Sequence, residues 1–127
     1  MSKSFLFALL YGLALAVLNQ AQDQSGFISI DCGLPAPTHN IDSTTGISYI
    51  SYASFINSGV NKTVQDEFKN DYQRYMWSLR SFLEGKRNCY KINVTHPRYL
   101  IRATFLYGNY DGLNDHPIFD LYLGANI

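Results

Sequence analysis

Aromatic, amide and carboxylate side chains crowd the segment 107–117, between two apolar stretches. The residues with the best chemistry for holding a ligand are Tyr107, Asn109, Tyr110 and Asp111. Flat apolar rings beside hydrogen-bonding groups suit a sugar, which has an apolar C–H face and a rim of hydroxyls. We therefore predict these four residues as a candidate carbohydrate-binding set. The same composition also fits an ordinary hairpin turn rich in Asn, Gly, Asp and Pro.

Two other chemistries use the same segment. Asp111, Asp115 and Asp120 are the best candidates for the paired carboxylates of a glycosidase, but such a pair needs a pocket that raises one pKa. Asn109, Asp111, Asn114 and Asp115 offer oxygen ligands for Ca²⁺, in a spacing that fits no known motif. The three histidines show no metal-ligand spacing, and no nucleophile elbow is present. We predict no enzyme activity, no metal site and no cofactor.

Two strands are expected to position this loop. In 99–107 the odd-numbered residues are all apolar or aromatic and fall on one face at period two, and 118–123 does the same with Phe119, Leu121 and Leu123. Such a period of two predicts a hairpin. Further strands are predicted at 26–31, 47–50, 75–82 and 88–94, whereas 32–46 and 57–71 are interpreted as surface connections. Short strands separated by turn signals favour an all-β sandwich or jelly roll.

The first residues have the layout of a secretory signal peptide. Lys3 precedes the apolar run Phe5–Leu18, and Ala21 supplies a small residue at the predicted cleavage point. An uncleaved anchor is the alternative, but the run is shorter than a membrane-spanning helix needs. We predict a signal peptide over 1–21, a mature domain over 22–127, and a location outside the cell, either secreted or at the outer face of the plasma membrane.

Secretion gives meaning to two further patterns. Cys32 and Cys89 form an even count in an oxidising compartment, which favours a disulfide over two free thiols. We predict N-glycans on Asn61 and Asn93, the first residues of two sequons, although Asn93 cannot be modified if its side chain faces the core.

The charge of the chain limits its partners. Ten Lys and Arg balance ten Asp and Glu, for a formal net charge of zero. This composition offers no basic stripe for nucleic acid and no polybasic patch for anionic lipid. We expect no nucleic-acid partner, and attachment to a membrane only through a span downstream of this sequence.

The order of several short motifs resembles the malectin-like extracellular region of plant leucine-rich-repeat receptor-like kinases. The matching motifs are GFISIDCG at 26–33, LRSF at 79–82, EG at 84–85, RNCY at 87–90, YLIRA at 99–103, YGNYDG at 107–112 and FDLYLG at 119–124. Two positions depart from the usual pattern. Tyr52 stands where the family often has an acidic residue, which puts a polar role there in doubt, and Leu83 replaces a proline, which should only loosen a turn.

The resemblance implies a malectin fold, a jelly-roll-like β-sandwich related to carbohydrate-binding modules. Such receptors usually carry two tandem modules, followed by leucine-rich repeats, a membrane span and a kinase. This sequence contains no glycine-rich ATP loop and no kinase catalytic motif. We therefore expect most of a first module, incomplete, at the N-terminus of a receptor-like kinase.

Three functions follow from the resemblance. The first is recognition of an oligosaccharide or cell-wall glycan, since the sugar contacts of animal malectin lie on comparable loops. The second is binding of a peptide or co-receptor by a domain that has lost sugar binding, because a loop of Tyr, Asn and Gly suits protein contacts equally well. The third is a truncated product without a function of its own.

Overall fold

The computed structural model describes residues 24–95 and 97–124. The elements of the described chain are mainly short strands. In chain order they are β1 (Ile30–Asp31), β2 (His39–Ile41), β3 (Ser48–Ser51), a 3₁₀ turn (Tyr52–Ser54), β4 (Val60–Thr63), helix α1 (Asp66–Lys69), a second 3₁₀ turn (Arg74–Met76) and β5 (Ser78–Ser81). The fold is all-β with little helix, as the sequence predicts. The predicted signal peptide lies outside the described residues.

The first sheet has three strands in the order β1-β3-β2. β1 runs parallel to β3, with Ile30 opposite Ile50, whereas β2 is antiparallel to β3, with Asn40 opposite Tyr49. A tight turn joins β2 to β3, in which the Asp42 carboxylate accepts hydrogen bonds from the backbone N–H groups of Thr44 and Thr45. The Asp42 side chain therefore stabilises the turn at this end of the sheet, because it accepts from backbone N–H groups that have no partner in a strand.

The second sheet pairs β4 with β5 in antiparallel register, from Val60 opposite Ser81 to Thr63 opposite Ser78. The ladder continues one step further, because Val64 N–H donates to the carbonyl of Trp77 at 2.9 Å. Helix α1 follows directly, with Asp66 and Glu67 in its first turn and Lys69 in its last, as the helix dipole favours.

The two sheets meet at the residues that follow β1. A Cβ atom on Gly33 would lie 2.4 Å from the backbone carbon of Ser78, so only glycine permits this approach. Asp31 is 3 % exposed, and its carboxylate accepts from the N–H of Gly33 at 3.0 Å and lies 3.5 Å from the hydroxyl of Ser78. Stacking of Tyr49 on Tyr75, with ring centroids 4.4 Å apart, adds a second contact between β3 and the turn before β5.

The strand predictions are confirmed in part. Strands form within the predicted segments 26–31, 47–50 and 75–82, but β2 and β4 lie in segments that the sequence suggested to be connections. The predicted strands at 88–94, 99–107 and 118–123 are wrong for this structure, since none of these residues pairs in a sheet. Period two alone does not make a strand, because each strand also needs a partner for its backbone hydrogen bonds.

The two segments that flank the loop nevertheless lie side by side. The rings of Phe105 and Phe119 meet edge to face, with centroids 5.2 Å apart. Most apolar side chains here face solvent, including Leu100 and Ile118, which are 98 % and 96 % exposed. Among the described residues, the buried hydrophobic side chains are those of Ile56 and Val64, both near the second sheet. None of the described helices has the length and apolar character to cross a membrane.

Candidate functional site

The backbone of the loop turns through several left-handed residues. Gly108, Asn109, Gly112 and Asn114 all have positive φ, at 49°, 48°, 74° and 55°. Glycine and asparagine are the residues that adopt this conformation at least cost. Two turns close inside it, from Tyr110 N–H to the carbonyl of Tyr107 and from Gly112 N–H to that of Asn109. The Asn and Gly content of the segment thus shapes the loop.

The hydroxyl of Tyr107 is the centre of the loop's hydrogen bonds. It donates to the carboxylate Oδ1 of Asp111, lies 3.2 Å from Oδ1 of Asn109, and accepts from the N–H of Asp115 at 3.3 Å. Asp111 Oδ1 also accepts from the N–H of Leu113 at 3.1 Å. One tyrosine therefore ties together both ends of the loop.

Asn109 is 8 % exposed and is bonded to the far side of the loop. Its Nδ2 donates to Oδ1 of Asn114 at 2.8 Å, and its Oδ1 accepts from the N–H of Asn114 at 2.9 Å. Because both ends of the amide are bonded inside the loop, this side chain stabilises the shape of the loop.

Tyr110 connects the loop to the second sheet. Its ring packs edge to face on that of Tyr107, with centroids 5.4 Å apart, and its hydroxyl lies 3.3 Å from that of Ser81 in β5. The backbone carbonyl of Gly108 accepts from the N–H of Gln65 at 2.9 Å. The loop is thus held against the ends of β4 and β5 at two points.

The electrostatics of the loop follow from the contact between Tyr107 and Asp111. The hydrogen bond from Tyr107 lowers the pKa of the Asp111 carboxyl below its usual range. Desolvation, followed by the same hydrogen bond, raises the pKa of the Tyr107 hydroxyl. At neutral pH the pair is a phenol bonded to a carboxylate, and the exposed Asp111 gives the loop a fixed negative charge.

The comparisons with known proteins agree with the resemblance drawn from the motifs. Residues 30–127 match the sequence profile of the Malectin-like domain. The chain belongs to the malectin-like domain family. It is 52 % identical over 124 residues to a probable LRR receptor-like protein kinase of Arabidopsis thaliana and 50 % identical over 125 residues to a probable LRR receptor-like serine/threonine-protein kinase of the same plant. It is also 49 % identical over 129 residues to the Arabidopsis thaliana LRR receptor-like serine/threonine-protein kinase IOS1.

The alignments differ greatly in how much of each protein they cover. They include 96 %, 96 % and 99 % of this malectin-like chain, in the same order, but only 14 % of each kinase. No solved structure matches the chain. The match is therefore to the malectin-like part of receptor kinases, which is an extracellular module in those relatives.

The structure brings the four predicted ligand residues of the malectin-like domain together in one loop. Tyr107, Tyr110 and Asp111 meet at its surface, with Asn109 beneath them. The three candidate carboxylates for a glycosidase, those of Asp111, Asp115 and Asp120, are all exposed and do not lie in an enclosed pocket. Within the described residues, no group of three or more His, Cys, Asp or Glu side chains could hold a metal ion.

A concave surface that the sequence did not reveal lies elsewhere in the malectin-like domain. A cavity of about 600 Å³ opens between β2 and the start of β5, and Asp31, His39, Arg74, Trp77 and Ser78 contribute to its wall. Burial raises the pKa of Asp31 there, against the opposing effect of its hydrogen bonds. These residues come from two distant parts of the sequence, 31–41 and 74–78, so no local motif could have indicated them.

The predicted disulfide is not formed in this structure, where Cys32 and Cys89 are both free thiols. An interaction with the hydroxyl of Tyr90, the neighbour of Cys89, lowers the pKa of the Cys32 thiol, against the larger effect of burial. Cys32 as a whole residue is exposed, but neighbouring atoms partly bury its sulfur, and this burial raises the pKa of the thiol. The disulfide stays a prediction.

Proposed function

We propose that this chain is a non-catalytic, extracellular recognition module that binds an oligosaccharide, such as a cell-wall glycan, through the loop 107–115. The observation that carries the proposal is the Tyr107–Tyr110 ring pair beside the exposed carboxylate of Asp111. Rings supply an apolar surface for the C–H face of a sugar, and the carboxylate can accept from its hydroxyls. Membership of the malectin-like family supports this class of ligand.

The internal hydrogen bonds of the loop favour binding. A loop that is already ordered loses less conformational entropy when a ligand arrives. Asn109 and the positive-φ residues contribute in this way, without touching the sugar. The proposed roles are therefore ring contact for Tyr107 and Tyr110, hydroxyl contact for Asp111, and positioning for Asn109.

The proposed location is outside the cell, either secreted after removal of residues 1–21 or at the outer face of the plasma membrane as part of a longer receptor. Its relatives are receptor-like kinases, and this chain aligns with only 14 % of their length. We propose no catalysis in this chain and no cofactor.

A glycan array probed with the secreted full chain tests the sugar proposal. Tyr110→Ala should abolish binding, and Tyr110→Phe should retain most of it, because the ring rather than the hydroxyl meets the sugar. Tyr72→Ala is the control, since it removes an exposed tyrosine ring that lies outside the loop. Equal array signals for Tyr110→Ala and the unmodified chain would refute the assignment of the loop.

A second candidate is a surface that binds a peptide or co-receptor. The observation in its favour is the exposure of apolar side chains in the two segments that flank the loop, among them Leu100, Ile118 and Phe119. Clusters of exposed apolar side chains commonly mark protein contacts. A blank glycan array combined with capture of a defined co-receptor ectodomain, lost in Leu100→Lys, would favour this function over sugar binding.

A further inference from the structure

Asn61, the first residue of a sequon, is a structural link in the folded chain. It lies on β4 directly opposite Arg80 of β5. Its Oδ1 accepts from Nη1 of Arg80 at 2.7 Å, while its Nδ2 lies 3.2 Å from the carbonyl oxygen of Gly33 and 3.3 Å from the hydroxyl of Tyr52. The residue is exposed, yet both ends of its amide have partners, from the neighbouring strand β5 and from residues that follow β1 and β3.

Arg80 holds this arrangement from several sides. Its guanidinium lies over the ring of Tyr52, 3.9 Å from the centroid, in a cation–π contact. Its Nη2 donates to the carbonyl of Gly59 at 3.1 Å, and its Nε donates to that of Ser58. Because the guanidinium is fixed by contacts other than Asn61, it orients the amide so that Nδ2 faces Gly33 and Tyr52.

N-glycosylation changes the atom that makes these contacts. The transfer breaks the bond between the sugar C1 and its lipid diphosphate carrier, forms a bond between C1 and Nδ2, and removes one proton from Nδ2. The amide begins with two N–H donors and keeps one. With two acceptors already within 3.3 Å of Nδ2, a sugar on that atom must displace at least one of them.

The order of synthesis presents the two acceptors of Nδ2 before the sequon. Gly33 and Tyr52 precede Asn61 by 28 and nine residues, so both acceptors have left the ribosome before the sequon does. Arg80 follows by 19 residues. The other sequon has a different setting, because Asn93 is exposed in a segment that forms no sheet.

We propose that the folded chain carries its N-glycan on Asn93 and keeps Asn61 unmodified, as an amide that ties the β4–β5 sheet to Gly33 and Tyr52. The proposal rests on the extracellular location given above, because only a chain in the secretory pathway meets the transferase. It does not depend on what the loop binds.

Site mapping by mass spectrometry tests this assignment. The full chain is expressed in a secretory host, and a peptide-N-glycosidase hydrolyses the glycosylated side-chain amides in ¹⁸O-labelled water, which converts each glycan-bearing asparagine to ¹⁸O-labelled aspartate. We expect label at position 93 and essentially none at 61. Thr63→Val and Thr95→Val remove one sequon each and leave the asparagines in place. Thr95→Val should abolish the gel shift caused by this enzyme, and Thr63→Val should leave it unchanged.

A high occupancy of Asn61 in the secreted, monomeric chain would overturn the proposal, as would an absence of glycan from Asn93. A double variant, Tyr52→Phe with Arg80→Gln, tests the cause by removing the contacts that hold the amide. Its Asn61 occupancy, measured in total cellular protein so that misfolded chains are counted, should rise at least severalfold. Unchanged occupancy would show that the contacts do not protect Asn61. A blank glycan array would leave all of these results untouched and would bear on sugar binding alone.

Discussion

The backbone of Gly108 lies directly against the side chain of Val64, so that a Cβ atom on Gly108 would be 2.4 Å from Cγ1 of Val64. Val64 is 2 % exposed and stands at the end of the β4–β5 ladder. The hydrogen bond from Gln65 N–H to the carbonyl of Gly108 fixes the same contact. The candidate ligand loop is therefore joined to one of the few buried hydrophobic side chains in the described part of the chain.

Gly108→Ala should detach the loop from the sheet. The new methyl group meets Val64, and an alanine at φ = 49° is itself strained, so we expect a loss of about 2–4 kcal/mol in the free energy of unfolding. Gly112→Ala is the matched control, because φ is also positive there but no atom lies within 4 Å of its Cβ position. It should cost only about 1 kcal/mol.

Urea unfolding of the two variants measures this difference. Equal losses for Gly108→Ala and Gly112→Ala would mean that the contact with Val64 contributes nothing beyond backbone conformation. A larger loss for Gly108→Ala should be accompanied by weaker ligand binding, since the loop it carries would lose its fixed position.

Asn109→Ala should loosen the loop from within. The substitution removes both hydrogen bonds to Asn114 and leaves a non-glycine residue at φ = 48°, for a cost of about 1–3 kcal/mol. Asn109→Gly separates the two causes, because it relieves the backbone strain and still loses the hydrogen bonds. Faster amide exchange at Asn114 in both variants is the expected result, and unchanged exchange in Asn109→Gly would contradict a role for the side chain.

The loop should open on acidification. Hydrogen bonding by Tyr107 lowers the pKa of Asp111 in the folded chain, so the stabilisation is fully present above the unfolded pKa of an aspartate, about 4, and is lost as the pH falls through the lower folded pKa. Carboxyl ¹³C shifts, followed by NMR from pH 7 to pH 2, report this titration directly.

Tyr107→Phe provides the check on that cause. Without the hydroxyl, the pKa of Asp111 should rise toward the usual range of an aspartate. The pKa of Asp42 should not move, because its low value comes first from the hydrogen bond of Thr45 and has nothing to do with the loop. An Asp111 titration that is the same with Tyr or Phe at position 107 would refute the coupling.

Features that depend on residues close together in the sequence could be predicted, whereas features that depend on contacts between distant segments could not. The all-β class follows from local alternation, and the loop follows from residues that tolerate positive φ within a few positions of each other. The cluster of Asn61, Tyr52 and Arg80 could not be predicted, because three short elements must first be placed in space. Phe105 and Phe119 show the opposite case: the pattern correctly places the two segments together, yet their backbones form no ladder.

A disulfide between Cys32 and Cys89 remains an expected feature of the secreted chain. Cys32 and Tyr90 affect each other's pKa, so Cys32 lies near the segment that holds Cys89. Closing so long a loop should stabilise the fold by about 4 kcal/mol if the bond is unstrained. Alkylation followed by mass spectrometry should label neither cysteine until a reductant is added. Labelling of both thiols in the native, unreduced chain would exclude the bond.

The exposed apolar side chains in the two segments that flank the loop should drive association of the chain. Leu100 and Ile118 are almost completely exposed, and unpaired backbone in their segments offers edges that another chain can pair with. Leu100→Lys with Ile118→Lys should reduce concentration-dependent association in light scattering, with little loss of stability, because neither side chain is buried. Glu67→Gln with Glu84→Gln raises the net charge by the same two units at exposed positions outside the two flanking segments, and controls for net charge alone. If the double lysine variant associates as strongly as the unmodified chain, the contacts that join copies lie elsewhere. If it unfolds, these two side chains contribute to the stability of the fold despite their exposure.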